Sequence, residues 1–263
     1  LRQKMLDAAK PHLLRILGPN CLGFISTAMK VNASSFHTMP KKGGVALVSE
    51  SGAMATAVLD WAAARDVGFS HVISLGDSSD VDFGDLLDYL ALDNSARAIL
   101  LYVKSIADAR KFMSPGRIAA RTKPVIVVKA GRSDAGARAA LSHTGVLAGS
   151  DMVYDAAFRR AGMLRVNDLR ELFQAVTPLS TGIRLTGDRL TILSNGGGAG
   201  VMAAEGVGGR GARLATVKPE TGGERGGGWA ARGEVGVAWG VGTRWAGGGG
   251  GVRWSAVIGS LGM

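Results

Sequence analysis

The sequence has a single cysteine, Cys21, among its 263 residues. A disulfide within the chain is therefore excluded, and because so little cysteine is typical of a reducing compartment, we expect a cytoplasmic protein. Long apolar runs are absent too, since no stretch approaches the roughly 18 apolar residues that span a bilayer. The first residues, Leu1 to Lys4, lead into a helical pattern without the regions of a signal peptide. We expect no membrane partner.

Aromatic residues are scarce at 6% of the chain, and basic residues outnumber acidic ones by 31 to 21, which gives a formal charge of +10. Such a surplus suits nucleic acid, a membrane surface or anionic small molecules. The basic residues are scattered, as at Arg110-Lys111 and Arg159-Arg160, without a stripe of interleaved aromatic residues. That pattern argues against a nucleic-acid partner and is compatible with phosphate and CoA ligands. We assign no metal ligands.

Apolar runs alternate with helical patterns between residues 43 and 178. The runs typical of buried strands are Val45–Val48, His71–Leu75, Ala98–Val103 and Pro124–Val128. The helical patterns are Ala53–Arg65, Leu86–Leu90, Ala107–Arg121 with an interruption at Pro115-Gly116, Met152–Gly162 and Asp168–Val176. This alternation predicts an α/β fold with a parallel sheet covered by helices on both faces. Such sheets bind ligands at the carboxyl ends of their strands.

The segment before this region carries only small elements. A helical pattern reaches Lys10 and is stopped by Pro11, and short strands are expected at Leu13–Leu17 and Phe24–Ser26. These elements cannot bury a core alone. We therefore predict that residues 1–40 are the end of a preceding domain and that residues 41–183 form the central one.

A third domain is predicted for residues 184–263. It begins with a strand at Leu190–Leu193, followed by a Gly-rich turn and a helix from about Val201. From Gly222 onward more than a third of the residues are Gly, and four of the five tryptophans of the chain lie there. This composition is neither that of a linker nor that of a good core. We hypothesise a reading-frame shift in a GC-rich gene, which an uninterrupted frame in an independent sequence of the locus would exclude.

The first candidate motif is Ser49-Glu50-Ser51-Gly52, between a predicted strand and a predicted helix. Backbone N–H groups at a helix N-terminus, with small hydroxyl residues, can bind an anion, and Gly52 allows close approach of the backbone. Taken alone, the same residues are more often a plain helix cap.

The second candidate motif is Ser142-His143-Thr144-Gly145, in a long loop rich in Gly, Ala and Ser. Loops of this length are often functional. A neutral imidazole offers a nitrogen lone pair near physiological pH and can attack phosphorus. A lone histidine in such a loop is nevertheless more often structural or merely exposed. The remaining histidines are interpreted as structural.

Two further turns are candidates. Asn195, Gly196 and Gly197 open a Gly-rich turn between a strand and a helix, which resembles a phosphate-binding turn but lacks the Gly-Lys-Ser/Thr ending of a P-loop. Gly18-Pro19-Asn20 forms another turn, because Pro fixes the backbone and Asn tolerates unusual angles. Taken singly, both are interpreted as structural.

Together, the order and spacing of these motifs resemble the NDP-forming acyl-CoA synthetases, which include ADP-forming acetyl-CoA synthetases and the succinyl-CoA synthetase α chain. The resemblance covers about residues 5 to 221 and extends to a branch that is often fused to a GNAT acetyltransferase. The stretches that carry it are Gly18–Gly23, Gly44–Gly52, Ala107–Ser114, Lys123–Arg132 and, most strongly, Ser142–Gly149.

The resemblance implies a flavodoxin-like, succinyl-CoA synthetase-like domain, flanked by remnants of a CoA-binding Rossmann domain, which holds Gly18, Pro19 and Asn20, and of a second flavodoxin-like domain. It implies an acyl-CoA (acetate–CoA) ligase in which phosphate attacks acyl-CoA, His143 takes the phosphoryl group from the acyl-phosphate and passes it to a nucleotide. Phosphate would then be held by the turns that contain the hydroxyl and glycine residues Ser49, Ser51, Gly52, Asn195, Gly196 and Gly197.

The resemblance also implies partners that this chain does not contain. ATP or ADP with Mg²⁺ would bind an ATP-grasp domain or subunit, the substrate would be a small acid, and the assembly would be a homo- or hetero-oligomer. A GNAT domain is a further candidate partner.

One departure from the family pattern concerns the histidine. The family has an acidic residue after the third sheet strand, which orients the histidine, whereas this chain has Lys104. A cation there would lower the basicity of His143, or it would contact phosphate. Lys104 is therefore a candidate modulator. The main alternative is a non-catalytic acyl-CoA-sensing module that regulates an acetyltransferase, and a truncated or pseudogene product is the other.

Overall fold

The computed structural model describes residues 2–133, 135–138, 149–180, 189–194, 197–208, 213–215, 229–231 and 237–240. The contacts between Cα atoms divide the chain into two compact units, Leu1–Ile183 and Arg184–Met263. Residues 1–40 thus share a unit with the central sheet. The assignment of those residues to a separate domain stays a prediction.

Strands of the first unit form one sheet of seven: β1 (Gly23–Ser26), β2 (Val31–Ser34), β3 (Lys42–Ser49), β4 (Phe69–Ser74), β5 (Ala98–Val103), β6 (Val125–Lys129) and β7 (Leu164–Val166). Their order is β2-β1-β4-β3-β5-β6-β7. The five strands from β4 to β7 in this order are parallel. The expected parallel sheet is confirmed, and it gains an antiparallel edge, because β1 pairs with β4 and β2 pairs with β1 in the opposite direction.

Helices cover both faces of this sheet. They are α1 (Arg2–Ala9), α2 (Gly52–Ala63), α3 (Phe83–Leu92), α4 (Ala109–Thr122), α5 (Asp151–Ala161) and α6 (Leu169–Ser180). Side chains of a strand alternate between the two faces. On β5, Ile99 and Leu101 pack with residues of α3, α4 and α5, whereas Leu100 packs with residues of α2 and α6. The central strands are therefore apolar on both faces, as their sequences predict.

Two expectations for the first unit are wrong. Leu13–Leu17 is irregular backbone rather than a strand. Leu13 and Leu14 donate their N–H groups back to the preceding helical residues, and Ile16 O accepts from Val81 N–H at 3.1 Å, so these hydrogen bonds do not form the ladder of a strand. The helix expected to break at Pro115 runs on as α4. A proline inside a helix costs about 3 kcal/mol, and here the buried Phe112 and Ala119 hold α4 in the core on either side of it.

The second unit has two small sheets within its described residues. β8 (Arg189–Leu190) pairs in parallel with β10 (Arg213–Leu214), while β12 (Val237–Gly240) pairs with β9 (Ile192–Ser194) and β11 (Trp229–Ala231). The single strand expected at Leu190–Leu193 is thus two strands that join different sheets. The following helix, α7 (Gly197–Gly208), begins earlier than expected.

Across the described part of the chain, no helix is both long and apolar enough to cross a membrane.

Candidate functional site

The turn from β3 into α2 contains the predicted Ser49–Gly52 motif. Ser51 is the N-cap of α2, and its hydroxyl oxygen accepts from Met54 N–H at 3.4 Å. Ser49 is fully buried; its hydroxyl donates to Ser51 O at 2.8 Å and accepts from Ser51 N–H at 3.1 Å. Both hydroxyls therefore shape the turn. Any anion bound here would meet the N–H groups of the first turn of α2, where the helix dipole is positive.

The space around Gly52 leaves no room for a side chain. A Cβ atom at this position would lie 2.7 Å from Leu22 Cγ, closer than real Cβ contacts. Leu22 immediately precedes β1, so the side chain before this strand packs against the first residue of α2. The glycine is thus required for close packing, in addition to the close approach that its sequence context predicts.

Glu50, the central residue of the turn, was not among the predicted site residues. Its side chain is 9% exposed, and its Oε2 accepts from the N–H groups of Lys104 and, at 3.1 Å, Ser105. Burial raises the pKa of the carboxyl to about 7, against the lowering effect of these hydrogen bonds and of the Lys104 and Lys129 charges. The only sequence signal is an acidic residue between two small residues at a strand end.

Lys104 follows β5 and lies beside this carboxyl. Its backbone N–H donates to Glu50, and its charge lowers the pKa of the Glu50 carboxyl. The structure therefore brings together Lys104, a predicted modulator, and the Ser49–Gly52 turn. They meet because β3 and β5 are adjacent parallel strands whose carboxyl ends share one edge of the sheet.

Lys129, at the end of the neighbouring strand β6, supplies a second cation at this edge. It is 2% exposed; its Nζ lies 4.5 Å from the centre of the Tyr154 ring and donates to Ala130 O at 2.5 Å. Burial lowers the pKa of its ammonium group. A cleft of about 500 Å³ opens beside it, lined by Lys129, Gly131, Arg132, Ser133, Asp151 and Asn167.

His143 lies outside the described residues, as do its neighbours from 139 to 148. The two ends of its loop are described: β6 ends at Lys129, and α5 begins at Asp151. The loop therefore leaves the sheet at the carboxyl end of β6, the same edge that carries Glu50 and Lys104.

The Gly18-Pro19-Asn20 turn packs on the loop that follows β4. Asp77 N–H donates to Pro19 O at 2.9 Å, and Ser79 N–H donates to Gly18 O at 3.0 Å. Asn20 adopts a φ of 55°, in the left-handed region that its side chain tolerates. These bonds attach the N-terminal segment to the sheet.

The last predicted site residues belong to the second unit. Gly197 is the first residue of α7, so the Gly-rich turn does precede a helix. Asn195 and Gly196 lie outside the described residues. Among the described residues, no group of three or more His, Cys, Asp or Glu side chains is placed to hold a metal ion.

Comparison with known families identifies the central part of the chain. The description "Succinyl-CoA ligase like flavodoxin domain" matches residues 42–179, which include the sheet edge described above.

Curated proteins extend the similarity beyond this domain. The chain is 44% identical over 221 residues to the ADP-forming acetate–CoA ligase I of Archaeoglobus fulgidus, covering 84% of this chain and 32% of that protein. It is 43% identical over 205 residues to the α subunit of the ADP-forming acetate–CoA ligase I of Pyrococcus furiosus, covering 78% and 44%. The chain thus spans 32% and 44% of the length of these two relatives.

A solved structure gives the same match. The dinucleotide-forming acetyl-coenzyme A synthetase 1 of Ca. Korarchaeum cryptofilum, in complex with phosphate and ADP, superposes with a TM-score of 0.77 at 34% identity, covering 82% of this chain and 47% of that one.

Proposed function

The chain belongs to the family of succinyl-CoA ligase-like flavodoxin domains, and from this premise we propose that it is part of an ADP-forming acyl-CoA ligase, with acetate or a similar small acid as substrate. The observation that carries the proposal is the identity of 44% and 43% to two ADP-forming acetate–CoA ligases. The Ser49–Gly52 turn and the loop of His143 leave the same edge of the sheet, which is where such a reaction needs an anion site and a nucleophile.

The chemistry assigned to this chain is a phosphoryl relay. Phosphate displaces CoA from the acyl-CoA and gives an acyl-phosphate. A ring nitrogen of His143 then attacks phosphorus, the bond between phosphorus and the acyl oxygen breaks, and the carboxylate of the free acid leaves with the electron pair. The phosphohistidine passes its phosphoryl group to ADP, giving ATP. The overall reaction converts acyl-CoA, ADP and phosphate into the free acid, ATP and CoA.

The described residues support an anion site at the Ser49–Gly52 turn. The first N–H groups of α2 have no partner within a helix and carry the positive end of its dipole. Fixed donors of this kind stabilise a dianionic phosphoryl group that is costly to remove from water. Because the Ser49 and Ser51 hydroxyls are used within the turn, their role in this proposal is to hold those donors in place. Asn195, Gly196 and Gly197 are assigned to a second such turn.

The remaining steps belong to partners. CoA would bind a domain of which residues 1–40 are the end, and ADP with Mg²⁺ would bind an ATP-grasp domain or subunit, which makes the active form an oligomer or a longer chain. A match to an α subunit supports this division. We place the reaction in the cytoplasm, where CoA esters and nucleotides occur together. The acetyltransferase-regulating alternative has no support from the relatives, which are named as ligases.

A partial reaction tests the proposal on this chain alone. Radiolabelled acetyl phosphate should transfer its phosphoryl group to the protein, and the label should be lost in acid and stable in base, as expected of a phosphoramidate. The His143→Asn variant should take up no label. His12→Asn is the matched control, because His12 is exposed in the short helix after α1; it should be labelled like the parent. Label retained in full by His143→Asn would reject the relay.

A further inference from the structure

We propose that the outer face of α4 is a docking surface for an acidic amphipathic helix of a partner protein. Three arginines form this surface, Arg110, Arg117 and Arg121, and together they are called the arginine stripe. The inference goes beyond the function proposed above and does not depend on it, because no side chain of α4 takes part in the proposed phosphoryl relay.

The helical repeat brings the three arginines onto one face of α4. They are separated by seven and by four residues in the sequence, and residues at these spacings lie above one another on a helix of about 3.6 residues per turn. The opposite face of α4 carries Phe112 and Ala119, which are buried in the core. The arginine stripe therefore runs along the outer side of the helix for about 16 Å, at about 1.5 Å per residue.

The charge of the arginine stripe is not neutralised by its surroundings. Within the described residues, none of its three guanidinium groups forms an ion pair, and α4 itself contains no Asp or Glu. Lys111 on the same helix differs, because its Nζ lies 3.1 Å from Asp82 Oδ2 and 2.6 Å from Asp85 Oδ2. A row of like charges without counter-charges is complementary to a partner of the opposite sign.

Arg117 supplies a second, independent observation. Its Nε is buried and has no hydrogen-bond partner in the part of the chain that the structure describes. A buried donor without an acceptor costs about 1–3 kcal/mol, and such donors are few in folded proteins. A carboxylate supplied by a partner would satisfy this donor, because its two oxygens match the fork of N–H groups on a guanidinium.

The shape of the surface favours an elongated partner over a small molecule. A groove of about 430 Å³ follows the arginine stripe and is also lined by Met113, Ser114 and Ile118. All of these residues belong to α4, so a small molecule would be held from one side only. Ligand pockets enclose about 70–90% of the surface of their ligand. A helix that lies along α4 can instead contact the whole stripe.

The apolar residues of the groove favour a protein over a nucleic acid or a membrane. Ile118 is 48% exposed beside the arginines, whereas Phe112, the aromatic residue of α4, is buried and offers no face on which a base could stack. The main apolar side of α4 packs in the core and cannot enter a bilayer. Exposed apolar atoms next to cations match a helix that carries apolar and acidic residues on one face.

Binding of a labelled synthetic peptide, measured by fluorescence anisotropy, tests the inference on the parent chain. The matched peptide is a helix of about 20 residues with three Glu spaced by four and by seven positions, and with Leu beside them on the same face. The scrambled peptide has the same composition, with its Glu residues on different faces. We expect the matched peptide to bind at least about tenfold more tightly, and to lose affinity between about 50 mM and about 300 mM salt.

The stripe variant removes the positive charge of the surface. It combines Arg110→Gln, Arg117→Gln and Arg121→Gln, and we expect it to bind the matched peptide at least about tenfold more weakly than the parent. A peptide with Lys in place of each Glu should not bind the parent. This last measurement needs no variant, so it tests the inference even if the stripe variant does not fold.

A control variant removes the same charge elsewhere on the chain. It combines changes at exposed residues of α1, β3 and α6, which are Lys4→Gln, Lys42→Gln and Arg170→Gln. We expect its affinity for the matched peptide to stay within about twofold of that of the parent, because exposed charges farther away than a Debye length are largely screened. A loss as large as that of the stripe variant would show a response to net charge alone and would overturn the inference.

Two further results would contradict a docking surface for an acidic helix. One is equal affinity of the parent for the matched and the scrambled peptide. The other is tighter binding of a single-stranded thymidine oligonucleotide, or of vesicles of anionic phospholipid, than of the matched peptide, which would assign the arginine stripe to a nucleic acid or to a membrane surface. Neither result bears on labelling of the chain by acetyl phosphate, so the proposed function is tested separately.

Discussion

Glu50 is the residue whose sequence context is least informative about its surroundings. Its neighbours Ser49, Ser51 and Gly52 are typical of an exposed turn, yet its carboxyl is buried. The partners that make burial tolerable are backbone N–H groups 54 and 55 residues away in the sequence. A pattern of local residue types cannot contain that contact, so the motif around Glu50 was predictable and the burial of its carboxyl was not.

Replacing Glu50 with Gln should change how stability depends on pH. Burial raises the pKa of the carboxyl from 4.5 to about 7, so the folded chain binds more protons than the unfolded chain between these values. The stability of the parent must then fall as pH rises through this window. The free energy of unfolding of the variant should therefore rise relative to that of the parent by about 3 kcal/mol at most, and the full difference should be present above about pH 7.

Urea unfolding of both proteins at about pH 5 and about pH 8 measures this difference. Glu205→Gln, which changes an exposed glutamate of α7, is the control. A difference between parent and Glu50→Gln that is the same at both pH values would contradict a buried carboxyl with a raised pKa.

At the scale of elements, strands and helices with strong patterns were predictable and segments shaped by tertiary contacts were not. The strand Ala98–Val103 has the predicted bounds, because a run that is apolar on both faces is typical of a strand buried between the two helical layers of such a sheet. Leu13–Leu17 is apolar but borders a loop instead of a strand. The strand Val31–Ser34 has too little apolar pattern to be predicted, and it exists because β1 provides its partner.

Packing between two turns gives a test at this scale. Gly76 has a φ of +60°, and a Cβ there would lie 2.2 Å from Pro19 O. Gly76→Ala should therefore destabilise the chain by at least about 2 kcal/mol, from backbone strain and from displacement of the Gly18–Asn20 turn.

Gly198→Ala is the matched control for Gly76→Ala. Nothing lies within 4 Å of a Cβ at Gly198, which is exposed in α7, so this change should be neutral or slightly stabilising. Chemical denaturation of both variants gives the midpoint of unfolding of each. Equal midpoints for the two would show that the packing of Gly76 against Pro19 does not hold the N-terminal segment.

At the scale of the molecule, the sequence predicts the class of fold and the edge of the sheet at which the candidate site lies. Parallel strands joined through helices place all their carboxyl ends at one edge, which is why Ser49, Lys104 and Lys129 meet although they are far apart in the sequence. The order of the strands and the antiparallel edge depend on pairings that no single segment encodes. The position of His143 lies outside the described residues.

The central sheet should also dominate the stability of the first unit. Leu100 is fully buried between α2 and α6, so Leu100→Ala should cost about 2–5 kcal/mol. Leu92, at the end of α3, is 79% exposed, and Leu92→Ala should cost no more than about 0.5 kcal/mol. Urea unfolding of the two variants and of the parent measures both losses in the free energy of unfolding. A similar cost for both would mean that this sheet is not the core of the unit.

The most direct test of the proposed relay is to locate the phosphate on the chain after reaction with acetyl phosphate. Tandem mass spectrometry under alkaline conditions, which preserve phosphohistidine, should find one acid-labile phosphate on His143 and none on the serines of the Ser49–Gly52 turn. An acid-stable phosphate on Ser49 or Ser51, or a chain that stays unmodified while acetyl phosphate is consumed, would contradict the relay.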